Sequence, residues 1–87
     1  MYQVFLTKTA QQGLQGLPKN LQAKCHKIFE TLRSDPLLGK KLIGVLSSYR
    51  SIRLTTYRII YRQEKEKLVI FVVSIRHRKE VYKKLTE

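Results

Sequence analysis

The sequence predicts an α+β fold: a small, mostly antiparallel β-sheet with an N-terminal helical hairpin packed on one face, in the order β-α-α-β-β-β-α. Three observations predict it. One apolar stripe at helical spacing runs from Leu17 to Leu32, three runs rich in β-branched and aromatic residues follow Ser48, and Gly, Pro, Ser and Asp clusters separate these segments. With 87 residues the chain has material for one core, so a single domain over 1–87 is expected.

Each element has its own signal. Residues 2–6 alternate with aromatic and β-branched content and read as a short strand. Thr7 suits the N-cap of a helix over 8–15, which Gly13 weakens and Gly16-Leu17-Pro18 ends. Pro18 suits the first turn of a second helix, whose Leu17, Leu21, Cys25, Ile28 and Leu32 form one stripe. Ser34-Asp35-Pro36 stops it, because the residue before proline is pushed out of α geometry. Residues 37–48, with Gly39, Gly44 and two serines, read as a loop carrying Lys40 and Lys41. Strands are expected at 49–54, 57–62 and 68–75, joined by Thr55-Thr56 and by the polar turn Glu64-Lys65-Glu66-Lys67. The third carries no charge and is expected to be central and buried on both faces. Val81 and Leu85 suggest a final short helix over 78–85.

Charge narrows the partners. Eighteen Lys and Arg against six Asp and Glu leave a net charge of +12, while 43% apolar content argues against disorder. Self-repulsion of that size needs a reason. Nucleic acid is the first candidate partner, an acidic protein the second and a membrane surface the third. The single cysteine, Cys25, cannot form an internal disulfide and falls on the apolar stripe, which suits a core position and a reducing compartment. No apolar run approaches spanning length, and the start of the chain lacks the basic and apolar regions of a signal peptide. A cytoplasmic location away from membranes is expected.

Several chemistries find no residues. His26 and His77 lie far apart, the acids are too sparse for a carboxylate pair, and neither a glycine-rich phosphate loop nor a nucleophile elbow is present. Arginine, lysine, histidine and tyrosine remain. They suit RNA cleavage by the substrate's own 2′-hydroxyl, in which the protein orients that group, stabilises charge on the phosphorane and moves protons. Arginine supplies a planar fork of donors. In strand 57–62, Arg58, Ile60 and Arg62 share the face opposite Tyr57, Ile59 and Tyr61. His77 is a proton shuttle by chemistry, and Tyr82 can hydrogen-bond a phosphate, donate a proton or stack on a base. Arg78 and Tyr82, four apart, would share one helical face. Lys40, Lys41, Arg50, Arg62, Lys79 and Lys83 are expected along the RNA backbone. The competing reading makes the strand arginines solvated residues that discourage edge pairing, and Lys83 a solvated helix end.

Tyr49-Arg50-Ser51-Ile52-Arg53-Leu54-Thr55-Thr56-Tyr57-Arg58-Ile59-Ile60-Tyr61, followed by Ile75-Arg76-His77-Arg78-Lys79-Glu80-Val81-Tyr82, closely resembles the RelE family of toxin–antitoxin ribonucleases. Chain length and element order match as well. The resemblance implies a toxin that enters the ribosomal A site, cuts messenger RNA without metal or cofactor, and is neutralised in a hetero-oligomer by a cognate acidic antitoxin. By motif, Arg58 matches the arginine of the family's Tyr-Arg strand, Arg53 a basic position usually held by lysine, Arg76 or Arg78 the C-terminal arginine, and Tyr82 the tyrosine. A second basic strand position falls on Ser51, with Arg50 one residue away. Proton abstraction is left open there, because arginine is a poor base; His77 is the candidate to fill the gap. Two alternatives stand beside this reading. One is a ParE-like toxin that binds DNA gyrase without catalysis. The other is a plain RNA-binding module, which the sequence supports less because no pair of stacking aromatics is evident.

Overall fold

The computed structural model describes residues 1–77 and 79. Its elements are β1 (Gln3–Leu6), α1 (Lys8–Gln15), α2 (Lys19–Leu32), β2 (Lys40–Lys41), a 3₁₀ turn (Gly44–Leu46), β3 (Tyr49–Leu54), β4 (Tyr57–Glu64) and β5 (Val69–His77). The strands form one sheet in the order β1-β5-β4-β3-β2. The β1–β5 pair is parallel and the others are antiparallel. The expected final helix over 78–85, with Arg78, Tyr82 and Lys83, lies outside the described residues apart from Lys79.

Local chemistry accounts for the helical hairpin. Thr7 caps α1: its hydroxyl accepts from the Ala10 N–H at 3.2 Å and donates to the Val73 carbonyl of β5 at 3.1 Å. One side chain thus starts the helix and ties it to the sheet. Gly13 costs helix propensity but lets α1 approach β5, since a Cβ there would sit 2.1 Å from the Ile75 carbonyl oxygen. At the start of α2 the Gln22 amide donates to the Leu17 carbonyl at 2.9 Å. The predicted stripe is buried at Leu17, Leu21, Cys25 and Leu32 and half-buried at Ile28, and Phe29 joins it. These residues cover Leu54, Ile59, Tyr61, Ile70, Val72 and Ile75 of the sheet. Burial raises the Cys25 thiol to about 11, as fits a core residue.

Two expectations change. The 37–48 loop contains an edge strand, β2, which pairs Lys40 with Ser51 and Lys41 with Arg50. Tyr61 secures it: its hydroxyl donates to the Pro36 carbonyl at 2.9 Å and accepts from the Gly39 N–H at 2.8 Å. A Cβ on Gly39 would lie 2.8 Å from the Tyr61 ring, so this approach needs glycine. The second change concerns β5, which is internal but not buried on both faces. Ile70, Val72 and Ile75 are buried against the helices, whereas Val69, Phe71 and Val73 are half-buried. Among the described residues the helices cover one face only, so a run without charges does not by itself mean two-sided burial. β5 also carries a bulge. Ile60 pairs with Ser74 and Tyr61 with Val72, which leaves Val73 as the extra residue.

Candidate RNA-binding face

Opposite the helices the register builds the site in rows. Directly paired residues project to the same side, and each pair two residues along projects with them. Arg53 pairs with Arg58, and Arg58 with Arg76. Three guanidinium side chains therefore stand abreast across β3, β4 and β5. The next row holds Lys40, Ser51, Ile60 and Ser74. A third holds Tyr49, Arg62, Phe71 and Phe5.

The first row is an electrostatic anomaly. Like charges directly opposite on neighbouring strands destabilise a sheet. No acidic residue is paired with Arg53, Arg58 or Arg76 in the register. A bound polyanion would turn that repulsion into attraction. Arg53 is exposed, and Arg58 and Arg76 are half-buried. Arg58 spends one N–H on its neighbouring Tyr57 carbonyl at 3.3 Å. Among the described residues, the Arg76 Nε and the Ser74 hydroxyl are buried without a hydrogen-bond partner. A cleft of about 400 Å³ lined by Lys40, Leu42, Ser51, Arg53 and Arg58 opens beside the row.

Several candidates lie elsewhere. Arg50 faces the helix side, where its guanidinium donates to the Gly39 carbonyl at 2.8 Å. Lys41, paired with Arg50, shares that side, so of the two lysines Lys40 joins the arginine face and Lys41 does not. His77 is one residue beyond Arg76 and so points the opposite way. Its ring lies edge-on to Tyr57 at 6.0 Å, and its Nδ1 accepts the Lys79 N–H at 3.3 Å. Within the described geometry it does not meet the arginine row. Lys79 itself is exposed. Arg62 is on the arginine face but already paired: its guanidinium binds the Glu64 carboxylate and lies 4.6 Å from the Phe71 ring centroid. That hydrogen bond from Arg62 holds Glu64 below the usual carboxylate range.

Sequence reasoning missed two things here. It left Lys40 in a loop, whereas pairing with Ser51 brings an amine to the strand position that lacks one. It also found no aromatic pair, whereas Phe5 and Phe71 meet with ring centroids 6.1 Å apart. The partners are 66 positions apart in sequence, and only the parallel β1–β5 pairing joins them.

A small mixed sheet with a helical hairpin on one face and a cationic row on the other is the architecture of the compact toxins of toxin–antitoxin systems. Residues 4–82 match the family described as ParE toxin of type II toxin–antitoxin system, parDE. Toxin RelG of Mycobacterium tuberculosis is 33% identical over 85 residues, covering 95% of this chain and 98% of that protein. The mRNA interferase toxin RelE of Escherichia coli K12 is 39% identical over 59 residues, covering 64% of this chain and 62% of that protein. Among solved structures, the RelBE2 toxin–antitoxin complex of M. tuberculosis superposes with a TM-score of 0.80 at 33% identity, over 88% of this chain and 98% of the matched one. The chain belongs to the RelE/ParE family of type II toxin–antitoxin toxins.

Proposed function

We propose that the chain, as one toxin domain over 1–87, is a ribosome-dependent endoribonuclease that cuts messenger RNA in the ribosomal A site and so halts translation in the cytoplasm. The observation that carries this reading is the row Arg53–Arg58–Arg76, three aligned cations on a face that the two N-terminal helices leave uncovered. The E. coli relative, an mRNA interferase toxin, supports it.

The chemistry follows from the donors. The scissile phosphate lies over the row, and Arg58, in the middle, meets the charge that builds on the phosphorane. Arginine does not release its proton at working pH, so another group must take the 2′-hydroxyl proton. A lysine ammonium has no acceptor either, so Lys40, across from Ser51 and beside the same cleft, adds a fourth cation for the phosphate, and water takes the proton. The 2′-oxygen then attacks phosphorus, the bond to the 5′-oxygen breaks, and a 2′,3′-cyclic phosphate remains. Tyr82 or Arg78 assists the leaving oxygen in this scheme, which draws on no cofactor or metal. A cognate acidic antitoxin neutralises the toxin by covering the same cations in a hetero-oligomer.

The test is single-turnover cleavage of mRNA on programmed ribosomes, with gyrase supercoiling assayed in parallel. Cleavage with unaffected gyrase is expected. Gyrase inhibition without cleavage would establish instead the activity suggested by the ParE name of the matched family. Within the nuclease, Lys40→Ala removes the fourth cation beside the row. Its cleavage rate should fall at least tenfold, and an unchanged rate would take Lys40 out of the site.

A further inference from the structure

We infer that Phe5, Phe71 and Arg62 form a stacking platform for a nucleobase flanking the cut, a subsite separate from the phosphate row. The inference rests on the nuclease reading above. Phe5 comes from β1 and Phe71 from β5, and their centroids lie 6.1 Å apart with the planes tilted by 30°. The Arg62 guanidinium lies over Phe71, 4.6 Å from its centroid. Glu64 holds that guanidinium in place. The result is an ordered surface of two rings and a cationic plane.

Three properties point to a base as the occupant. Phe5 is 48% exposed on a strand, where an apolar ring gains nothing from water. Base recognition on single-stranded RNA uses stacking on aromatic rings and on arginine planes, which is the composition of this patch. Position supplies the third. The platform lies two rows from the arginines, roughly 13 Å along strands that rise about 3.3 Å per residue. The strand axis therefore runs from phosphate-binding cations to a ring surface within the reach of a neighbouring nucleotide. Because Arg62 is charge-paired, its part here is as a plane for stacking more than as a phosphate ligand.

The test uses mRNA with a 2′-deoxy sugar at the cut, held on programmed ribosomes, with 2-aminopurine placed in turn at the nucleotides on either side. Wild-type toxin should quench the fluorescence at one flanking position. Phe5→Tyr, which keeps the ring, should quench equally. Phe5→Leu, which keeps an apolar side chain, should lose the quench. On cleavable mRNA, Phe5→Leu should raise the half-saturating toxin concentration about tenfold, the scale of one lost base–aromatic stack. Equal quenching and equal half-saturation in Phe5→Leu would overturn the inference. So would unchanged RNA behaviour together with weakened antitoxin binding, since the patch would then be a protein-docking surface. These outcomes differ from failure of the nuclease reading, which would show as no cleavage by the wild type. Circular dichroism of each variant establishes that the fold is retained.

Discussion

The two faces of the sheet use the same backbone for opposite ends. On the helix side, Ile59, Tyr61, Ile70, Val72 and Ile75 are buried and interlocked with α1 and α2. On the other side, the same strands present Arg53, Arg58 and Arg76 abreast. One face gains from being covered by its own chain, and the other carries repulsion that no acidic residue paired in the described register offsets and that an outside anion would relieve. Substitutions on the two faces should therefore separate stability from activity.

The sharpest separation is between adjacent residues of β4. Arg58→Ala should lower single-turnover cleavage on the order of a hundredfold or more with the denaturation midpoint nearly unchanged. Ile59→Ala should do the reverse, costing about 2–5 kcal/mol in urea unfolding. A destabilised Arg58→Ala, or cleavage at the wild-type rate, would break the division of labour. Tyr61→Phe, on the helix side, should affect both stability and activity. It removes the hydroxyl that holds Pro36 and Gly39, leaving a buried N–H unpaired, and should cost about 1–3 kcal/mol. Because that hydroxyl also positions the loop before Lys40, activity should fall even in the folded fraction.

Two smaller effects concern titration. The folded pKa of Cys25, about 11, lies above its ordinary 9.0. The native state therefore retains a proton that the unfolded chain loses, and the contribution present below pH 9.0 should decline as pH rises toward 11. Cys25→Ala should flatten that part of the stability profile measured by urea unfolding. At the other extreme the Arg62–Glu64 pair holds the Glu64 pKa down, so its contribution is present above the ordinary carboxylate pKa and fades as pH falls through the folded value. The pair is partly exposed, and Glu64→Gln should shift the denaturation midpoint hardly at all. A large shift would mean that the platform contributes to folding as well as to binding.

Much of this was legible from residue order. The Thr7 cap and the α2 stripe are local signals, and the structure agrees with both; in β4 the register keeps the expected faces, although Ile60 on the arginine side is buried as well. Leu54 and Tyr57 flank the Thr55-Thr56 turn and Arg53 and Arg58 lie one residue further out, so their pairing also follows from local sequence. What was hidden depends on long-range pairing and on one extra residue. Counting back from Arg76 by twos puts Ser74, Val72 and Ile70 on the arginine face. The bulge at Val73 reverses the phase, sending Val72 and Ile70 to the core and Phe71 to the open face. No composition signal marks that bulge. Lys40 was hidden because two paired residues carry no periodicity, and the face of His77 was hidden because proximity in sequence to Arg76 says nothing about which side a side chain takes.

The pairing of Gln3–Leu6 with Val69–Val72 also places a condition on biosynthesis. The first strand leaves the ribosome before the fifth and must wait for it before its parallel neighbour exists. Contacts at that sequence separation form late because of the loop that must close. The cationic row shares the dependence, since Arg76 arrives on the same fifth strand as the pairing partner. A nascent chain that stops after β4 carries two of the three aligned arginines and lacks the strand that aligns the third. The site is thus assembled only when the fifth strand joins the sheet, so a chain has its full phosphate row only once Arg76 has been made and paired.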